Sequence, residues 1–315
     1  MRILITGAAG NLGGFLARHL AGRGHELNLM VHRRPLAADL AEHPRVRVYR
    51  ADLADPRTLA APCRDSDVLI HFAGVLFAPR PEAFLPTTNT EYVKNLVGAA
   101  LDGGVKRFVA VSFPHVEGET TPGAPATGRM EGRPSSVHAR TRLAAERHLF
   151  ESCRGQAMVP VALRAGFIYG RGVLMPEAAR RLMRHGLLPV WPGPTWTHPI
   201  SLEDFLDCAE AALTRPGING VYNLGDDEPV TLQRFLDLLA DHWGYRRPVR
   251  LPAWSFYAAA AAVEGLATIF HTASPLTRDF IRIGMASYVS DTSRMKRELL
   301  AELHHPSFVE GLRML

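Results

Sequence analysis

Residues 2 to 14 restrict this chain more than any other stretch of it. Arg2-Ile3-Leu4-Ile5-Thr6 is short, apolar and β-branched, the pattern of a strand buried in a parallel sheet. Gly7-Ala8-Ala9-Gly10-Asn11-Leu12-Gly13-Gly14 follows at once, and Phe15 to Gly22 then carries apolar residues at helical spacing. Strand, glycine turn and helix in that order make the seat of a dinucleotide. Gly7 permits the tight turn, Gly10 lets backbone N–H groups reach a pyrophosphate, and Gly13 lets the helix lie close to the strand. The anion then meets a helix N-terminus, where free N–H groups and the helix dipole favour it. Gly7, Ala9, Gly10, Asn11, Leu12 and Gly13 are therefore the expected contacts.

A chain of 315 residues is long enough for one large α/β domain and a smaller one. With 47% hydrophobic and 21% charged residues it has the composition of an ordinary globular protein. The formal net charge is +5, but the arginines are scattered and no Lys/Arg block occurs, which argues against a nucleic-acid partner. Cys63, Cys153 and Cys208 lie far apart and form neither a metal pattern nor a disulfide framework, so no metal is expected and a reducing cytoplasm fits. No basic-then-apolar leader precedes the first strand, so no signal peptide is expected. Ala253 to Phe270 is alanine-rich and encloses Glu264. It reads as a packed or groove-lining helix, with attachment to a membrane surface through 253–270 as the alternative suggested by its apolarity.

Further strands are expected over Glu26–Val31, Val46–Tyr49, Asp67–Phe72, Lys106–Val111 and Val159–Arg164, with a last one at Val221–Gly225. After the second strand, an acidic residue would hydrogen-bond a ribose 2′-hydroxyl. His32-Arg33-Arg34 stands there instead, and two guanidinium groups suit a 2′-phosphate, which favours NADP(H) over NAD(H). Small residues at Ala73 and Gly74, after Phe72, let the chain pass close to a cofactor, whereas His71 reads as a core histidine. Residues 117 to 136 are rich in Gly, Pro, Thr and Ser without apolar periodicity, the pattern of a long mobile loop over the site.

The spacing Gly-x-x-Gly-x-x-Gly after Thr6, the run Leu163-Arg164-Ala165-Gly166-Phe167-Ile168-Tyr169-Gly170-Arg171-Gly172, and the tail Asp291 to Leu299 resemble the short-chain dehydrogenase/reductase superfamily. The likeness is to its extended, epimerase/dehydratase-like branch. It implies a Rossmann-type, doubly wound parallel α/β sheet over residues 1–170, with 200–225 returning to it, and a smaller C-terminal α/β substrate domain over 171–315. It also implies that Asp52 and Leu53 lie along the adenine and that Asn89 opens the helix that begins Asn-Val-x-Gly-Thr in relatives, with Tyr92 and Val93 where Gly-Thr is usual. From the residues alone, Asp52 reads equally as the cap of a turn. Helices 87–103 and 136–153 resemble those that pair relatives into homodimers.

The resemblance fails at the reaction centre. Relatives carry Tyr-x-x-x-Lys on the helix recognisable here from Arg142-Leu143-Ala144-Ala145-Glu146-Arg147-His148-Leu149. Counting back from Glu146 puts His138 at the tyrosine and Arg142 at the lysine. Anchoring on Val116 and Gly118 places Phe113 at the usual serine, with Ser112 one place earlier and on the opposite face of a strand. His138, Arg142, Ser112 and Asn89 are thus the candidate catalytic residues, and Arg142 is also an expected cofactor contact through the ribose hydroxyls. Phe113 removes a hydrogen-bond donor of a kind worth about 2.7–4 kcal/mol of barrier. Three functions fit: an oxidoreductase for a bulky, largely apolar small-molecule carbonyl or alcohol; a catalytically silent NADP-binding regulatory or scaffold protein; or a redox-neutral isomerase or cyclase. The apolar substrate is suggested by Trp191, Trp196, Trp254, Phe256 and Tyr257.

Overall fold

Short apolar strands alternating with helices build an open sheet of seven strands: β1 (Arg2–Thr6), β2 (Glu26–Val31), β3 (Val46–Arg50), β4 (Val68–His71), β5 (Arg107–Ser112), β6 (Val159–Ala165) and the last strand, Gly220–Leu224. The computed structural model describes residues 1–74, 81–270, 272 and 276–315. From one edge the order is Gly220–Leu224, β6, β5, β4, β1, β2, β3, and every neighbouring pair is parallel. The sheet therefore grows in one direction from β1 to β3 and in the other from β4 onward. Its C-terminal ends open a crevice between β1 and β4, where a ligand sits in folds of this kind.

Alternate residues of each strand feed different cores, as the two-residue period requires. Ile3 and Ile5 pack with Leu16 and Leu20 of α1 (Asn11–Gly22) and with Phe205 and Ala209 of the Leu202–Thr214 helix. Leu4, Phe108 and Ala110 face the opposite layer, built from the helices Pro56–Arg64, Tyr92–Asp102 and Val137–Ser152. Helix starts follow local chemistry: the side chains of Asp55, Ser136, Ser201 and Thr231 each accept from a backbone N–H in the first turn of the helix that follows. The helix expected over 87–103 divides into a π-helical turn, Pro86–Glu91, and the α-helix Tyr92–Asp102. A third core beyond β6 collects Tyr169, Met183, Val190, Leu239 and a stacked pair, Phe235 and Phe308, whose ring centres are 4.1 Å apart.

Two expectations from the sequence are corrected. Residues 117–136 are not a free loop. Glu117 is buried and accepts from Arg164 at 2.7 Å and from the backbone N–H groups of Thr127 and Gly128. Arg164, fully buried, also pairs with Glu146 at 2.6 Å and donates to the Arg129 carbonyl. Backbone bonds from Thr120 and Ala126 to Ser287 and Val289 fasten the loop to the C-terminal part of the chain. Gly, Pro and Thr raise the flexibility of an isolated segment, but tertiary partners far along the sequence decide its state here. The helix Ala253–Ile269 is the second correction. It buries little more than Ala260, Glu264 and Ala267 and leaves most of its length in solvent. Among the described residues, no helix is long and apolar enough to cross a membrane.

Candidate active site

The glycine turn at the C-terminal end of β1 is sterically exacting. Gly7 has φ of +76°, and a methyl group there would also lie 2.8 Å from the Ala73 backbone nitrogen. A methyl group on Gly13 would come within 2.4 Å of the Gly7 carbonyl oxygen, so α1 lies against the turn at a distance that only glycine permits. Gly10 donates to the Gly7 carbonyl at 2.8 Å and caps α1 without a side-chain acceptor, leaving the N–H groups of the first turn directed at the crevice. Ala9 and Leu12 lie in the same turn. Asn11 does something the sequence did not show. Its side chain donates to the Gly172 carbonyl and accepts from Leu174 N–H, both at 2.9 Å, clasping the segment after β6 to the start of α1.

At the end of β2, His32, Arg33 and Arg34 are exposed, and among the described residues neither arginine has an ion-pair partner. His32 Nε2 lies 3.4 Å from a carboxylate oxygen of Asp52. Asp52 accepts from Ala54 N–H at 2.9 Å, the turn cap that its local sequence allows, and the Leu53 carbonyl accepts from Asn95. Phe72 sits edge-on to Phe205 beneath the crevice.

The structure brings His138, Arg142, Phe113 and Asn89 together. His138 and Arg142 are one turn apart on the Val137–Ser152 helix. The His138 ring is buried, 5.0 Å from the Phe113 ring. Its Nδ1 lies 3.4 Å from the Asn89 side-chain nitrogen, which also reaches Thr141 Oγ1 at 3.5 Å. An amide N–H beside Nδ1 makes that atom the acceptor and leaves the imidazole proton on Nε2, an assignment drawn from the bonding pattern. Burial, then the Arg142 charge, then His115 hold the His138 pKa down to about 3, so its imidazole is neutral at neutral pH. The Arg142 guanidinium is half-buried over Gly74, where an added methyl group would meet its Nη2 at 2.3 Å. Burial lowers its pKa and the nearby Glu146 opposes that, yet among the described residues it has no ion pair.

Ser112 is buried as well, and its hydroxyl has no hydrogen-bond partner among the described residues. His71 is a core histidine: it bonds Thr6 Oγ1 at 2.7 Å, and burial holds its pKa to about 3. Sequence reading missed His115, whose ring lies 5.2 Å from Phe113 and 4.4 Å from Tyr288, and Asp279, which accepts from the N–H groups of Val137 and His138. No local signal marks Asp279, because it caps a helix about 140 residues earlier. Tyr288 does not replace the missing tyrosine, since its hydroxyl accepts from Phe167 N–H at 2.8 Å and bonds Thr197. Of the five aromatic residues expected to line a substrate site, Trp191 and Phe256 meet edge to face, and Trp254 is exposed.

Residues 3–225 match the model of the NAD dependent epimerase/dehydratase family. The chain belongs to that family. Among relatives, the 3-beta-hydroxysteroid dehydrogenase of Mycolicibacterium neoaurum is 28% identical over 182 residues, 54% of this chain and 48% of the relative. The chain thus spans about half the length of that protein. The 4-hydroxy-2-methyl-3-oxo-4-farnesyl-3,4-dihydroquinoline-1-oxide ketoreductase of Stigmatella aurantiaca is 25% identical, with 99% of this chain and 96% of the relative covered. Among solved structures, MoeE5 in complex with UDP-glucose and NAD superposes with a TM-score of 0.78 over 100% of this chain and 97% of the other, at 21% identity. That last likeness is one of fold. It agrees with the parallel seven-stranded sheet described above.

Proposed function

We propose that this member of the family is an NADP(H)-dependent oxidoreductase for a bulky, largely apolar carbonyl or alcohol. The carrying observation is the half-buried Arg142 guanidinium, without an ion pair among the described residues, one turn from a buried, neutral His138. The turn at Gly7, Gly10 and Gly13 fits a pyrophosphate, because methyl groups there would collide with backbone that a cofactor needs left in place. Arg33 and Arg34, exposed at the end of β2, suit a 2′-phosphate. A bound nicotinamide dinucleotide supplies or accepts a hydride.

Toward that chemistry Arg142 offers a fixed positive charge and a fork of N–H donors for ribose hydroxyls. His138 offers its Nε2–H as a hydrogen-bond donor to a substrate oxygen. A neutral imidazole polarises such an oxygen and is a poor proton source, so water must deliver the proton that completes a reduction. Phe113 furnishes an apolar surface beside the His138 ring. The likeness along nearly the whole chain to a ketoreductase named for a farnesyl-bearing substrate supports the apolar substrate class.

A second reading rests on the same neutral imidazole and on Phe113, which donates nothing. With neither a strong acid nor the usual serine, the protein binds the dinucleotide and signals its presence without turnover. The test is NADPH consumption against a panel of long-chain 3-oxo esters and 3-ketosteroids. A reductase turns over at least one class and loses turnover in His138→Phe while keeping NADPH affinity. Tight NADPH binding without consumption across the panel supports the silent reading, and absence of affinity for either dinucleotide sinks both.

A further inference from the structure

The helix Ala253–Ile269 and the residue after it present an apolar face that the other described residues leave uncovered. Trp254, Leu266, Ile269 and Phe270 are 70%, 55%, 70% and 69% exposed. The one charged residue of the helix, Glu264, is turned inward, where its carboxylate accepts from the Arg278 backbone N–H at 2.8 Å and from its Nε at 2.7 Å. The outward face therefore carries no charge along its length. A helix apolar on nearly all sides belongs in a protein core or against lipid. The face continues past the helix: Pro189 and Val249 pair in a short parallel ladder, Leu251 N–H bonds the Val190 carbonyl, and Leu187 and Val249 stand 66% and 63% exposed.

The charges of this part of the chain leave an excess of unpaired arginine. Of the five arginines in residues 244–285, Arg247 pairs with Asp241, Arg250 with Asp237 and Arg278 with the inward-turned Glu264, while Asp279 is buried and accepts backbone N–H groups. Arg246 and Arg282 are exposed and, among the described residues, carry no ion pair. A second copy of the chain docked here would press arginines against arginines. An anionic bilayer surface would neutralise them while its acyl boundary covered the apolar residues. At 17 residues the helix is short for a span and suits a position in the plane of the interface.

We propose that this face docks the protein on bilayers containing anionic lipid, with the Ala253–Ile269 helix lying in the headgroup region. The proposal is independent of whether His138 and Arg142 catalyse anything. It is tested by floating the purified full chain with vesicles of phosphatidylcholine alone or of three parts phosphatidylcholine to one part phosphatidylglycerol. Binding is expected to the anionic vesicles, to weaken with salt, and to fall about fivefold for each charge removed in Arg246→Gln and Arg282→Gln. Leu266→Asp with Ile269→Asp should lower binding more than tenfold, with the thermal melt and NADPH affinity unchanged to show an intact fold and nucleotide site. Equal binding to both vesicle types, or to neither, overturns the proposal. So does a concentration-dependent dimer that the aspartate pair abolishes, which would assign the face to a second copy.

Discussion

Holding His138 neutral inside the protein has a cost that grows as the pH falls. In the unfolded chain a histidine takes up a proton near pH 6.5. In the folded protein His138 resists protonation down to about 3, through burial first and the Arg142 charge second. A folded value below the unfolded one means that the unfolded chain binds the extra proton between those limits. Stability is therefore undiminished above about pH 6.5 and falls as the pH drops toward the folded value. At about pH 5 the loss is roughly 1.36 × log10(1 + 10^1.5), about 2 kcal/mol, and at about pH 7.5 it is near zero.

His138→Gln keeps a hydrogen-bonding side chain and removes the titration. Urea unfolding followed by circular dichroism, for both proteins at both pH values, gives the double difference. The wild type should lose about 2 kcal/mol more than the variant between pH 7.5 and 5. The comparison is needed because other buried groups titrate too. His71 and His115 add to the loss, with values near 3 and 4, whereas Asp226 works against it. Burial raises Asp226 to about 8, so its contribution to stability is largest at low pH and fades as the pH rises through 8. Those groups are common to both proteins and cancel. If the two proteins show the same pH dependence within about 0.5 kcal/mol, His138 is solvated or charged, and its role as a neutral donor is wrong.

Three further outcomes follow from the packing. Gly13→Ala sets a methyl group 2.4 Å from the Gly7 carbonyl oxygen and should cost about 1–3 kcal/mol in unfolding and at least tenfold in NADPH affinity by titration. Arg164→Leu leaves Glu117 and Glu146 buried without their partner and should cost about 3–5 kcal/mol, with limited proteolysis now cutting between 117 and 136. Replacing Arg33 and Arg34 with alanine should weaken NADPH binding by roughly tenfold or more and leave NADH binding unchanged, measured by calorimetry.

The sheet was legible because its inner strands are buried and read as plain apolar runs, and because several helices start at a side chain that caps them. β2 falls where the sequence placed it. Boundaries elsewhere moved by a residue or two. The turn at Gly7, Gly10 and Gly13 was legible for a stronger reason: Gly10 and Gly13 answer a steric demand made by the Gly7 carbonyl within the same turn, and Gly7 answers its own positive φ. The loop 117–136 was misread because its order comes from Arg164, Ser287 and Val289, which local composition does not register. The Ala253–Ile269 helix was misread because apolarity reports a preference for leaving water without naming what covers the surface.

His138 and Arg142 show where reading by spacing stops. Position follows from counting, since both residues share one helix face four apart. Protonation depends on groups that counting cannot locate, namely Phe113 and His115 from the end of β5 and the Asn89 amide from a π-helical turn. The pair is nevertheless chemically coherent. A guanidinium keeps its proton where a lysine could lose one, and in its field a buried imidazole stays neutral and can donate one hydrogen bond. Relative to tyrosine and lysine, the site keeps one fixed cation and one donor and gives up a group able to release a proton easily. A centre so arranged favours reactions limited by positioning and polarisation, and it slows those limited by proton delivery.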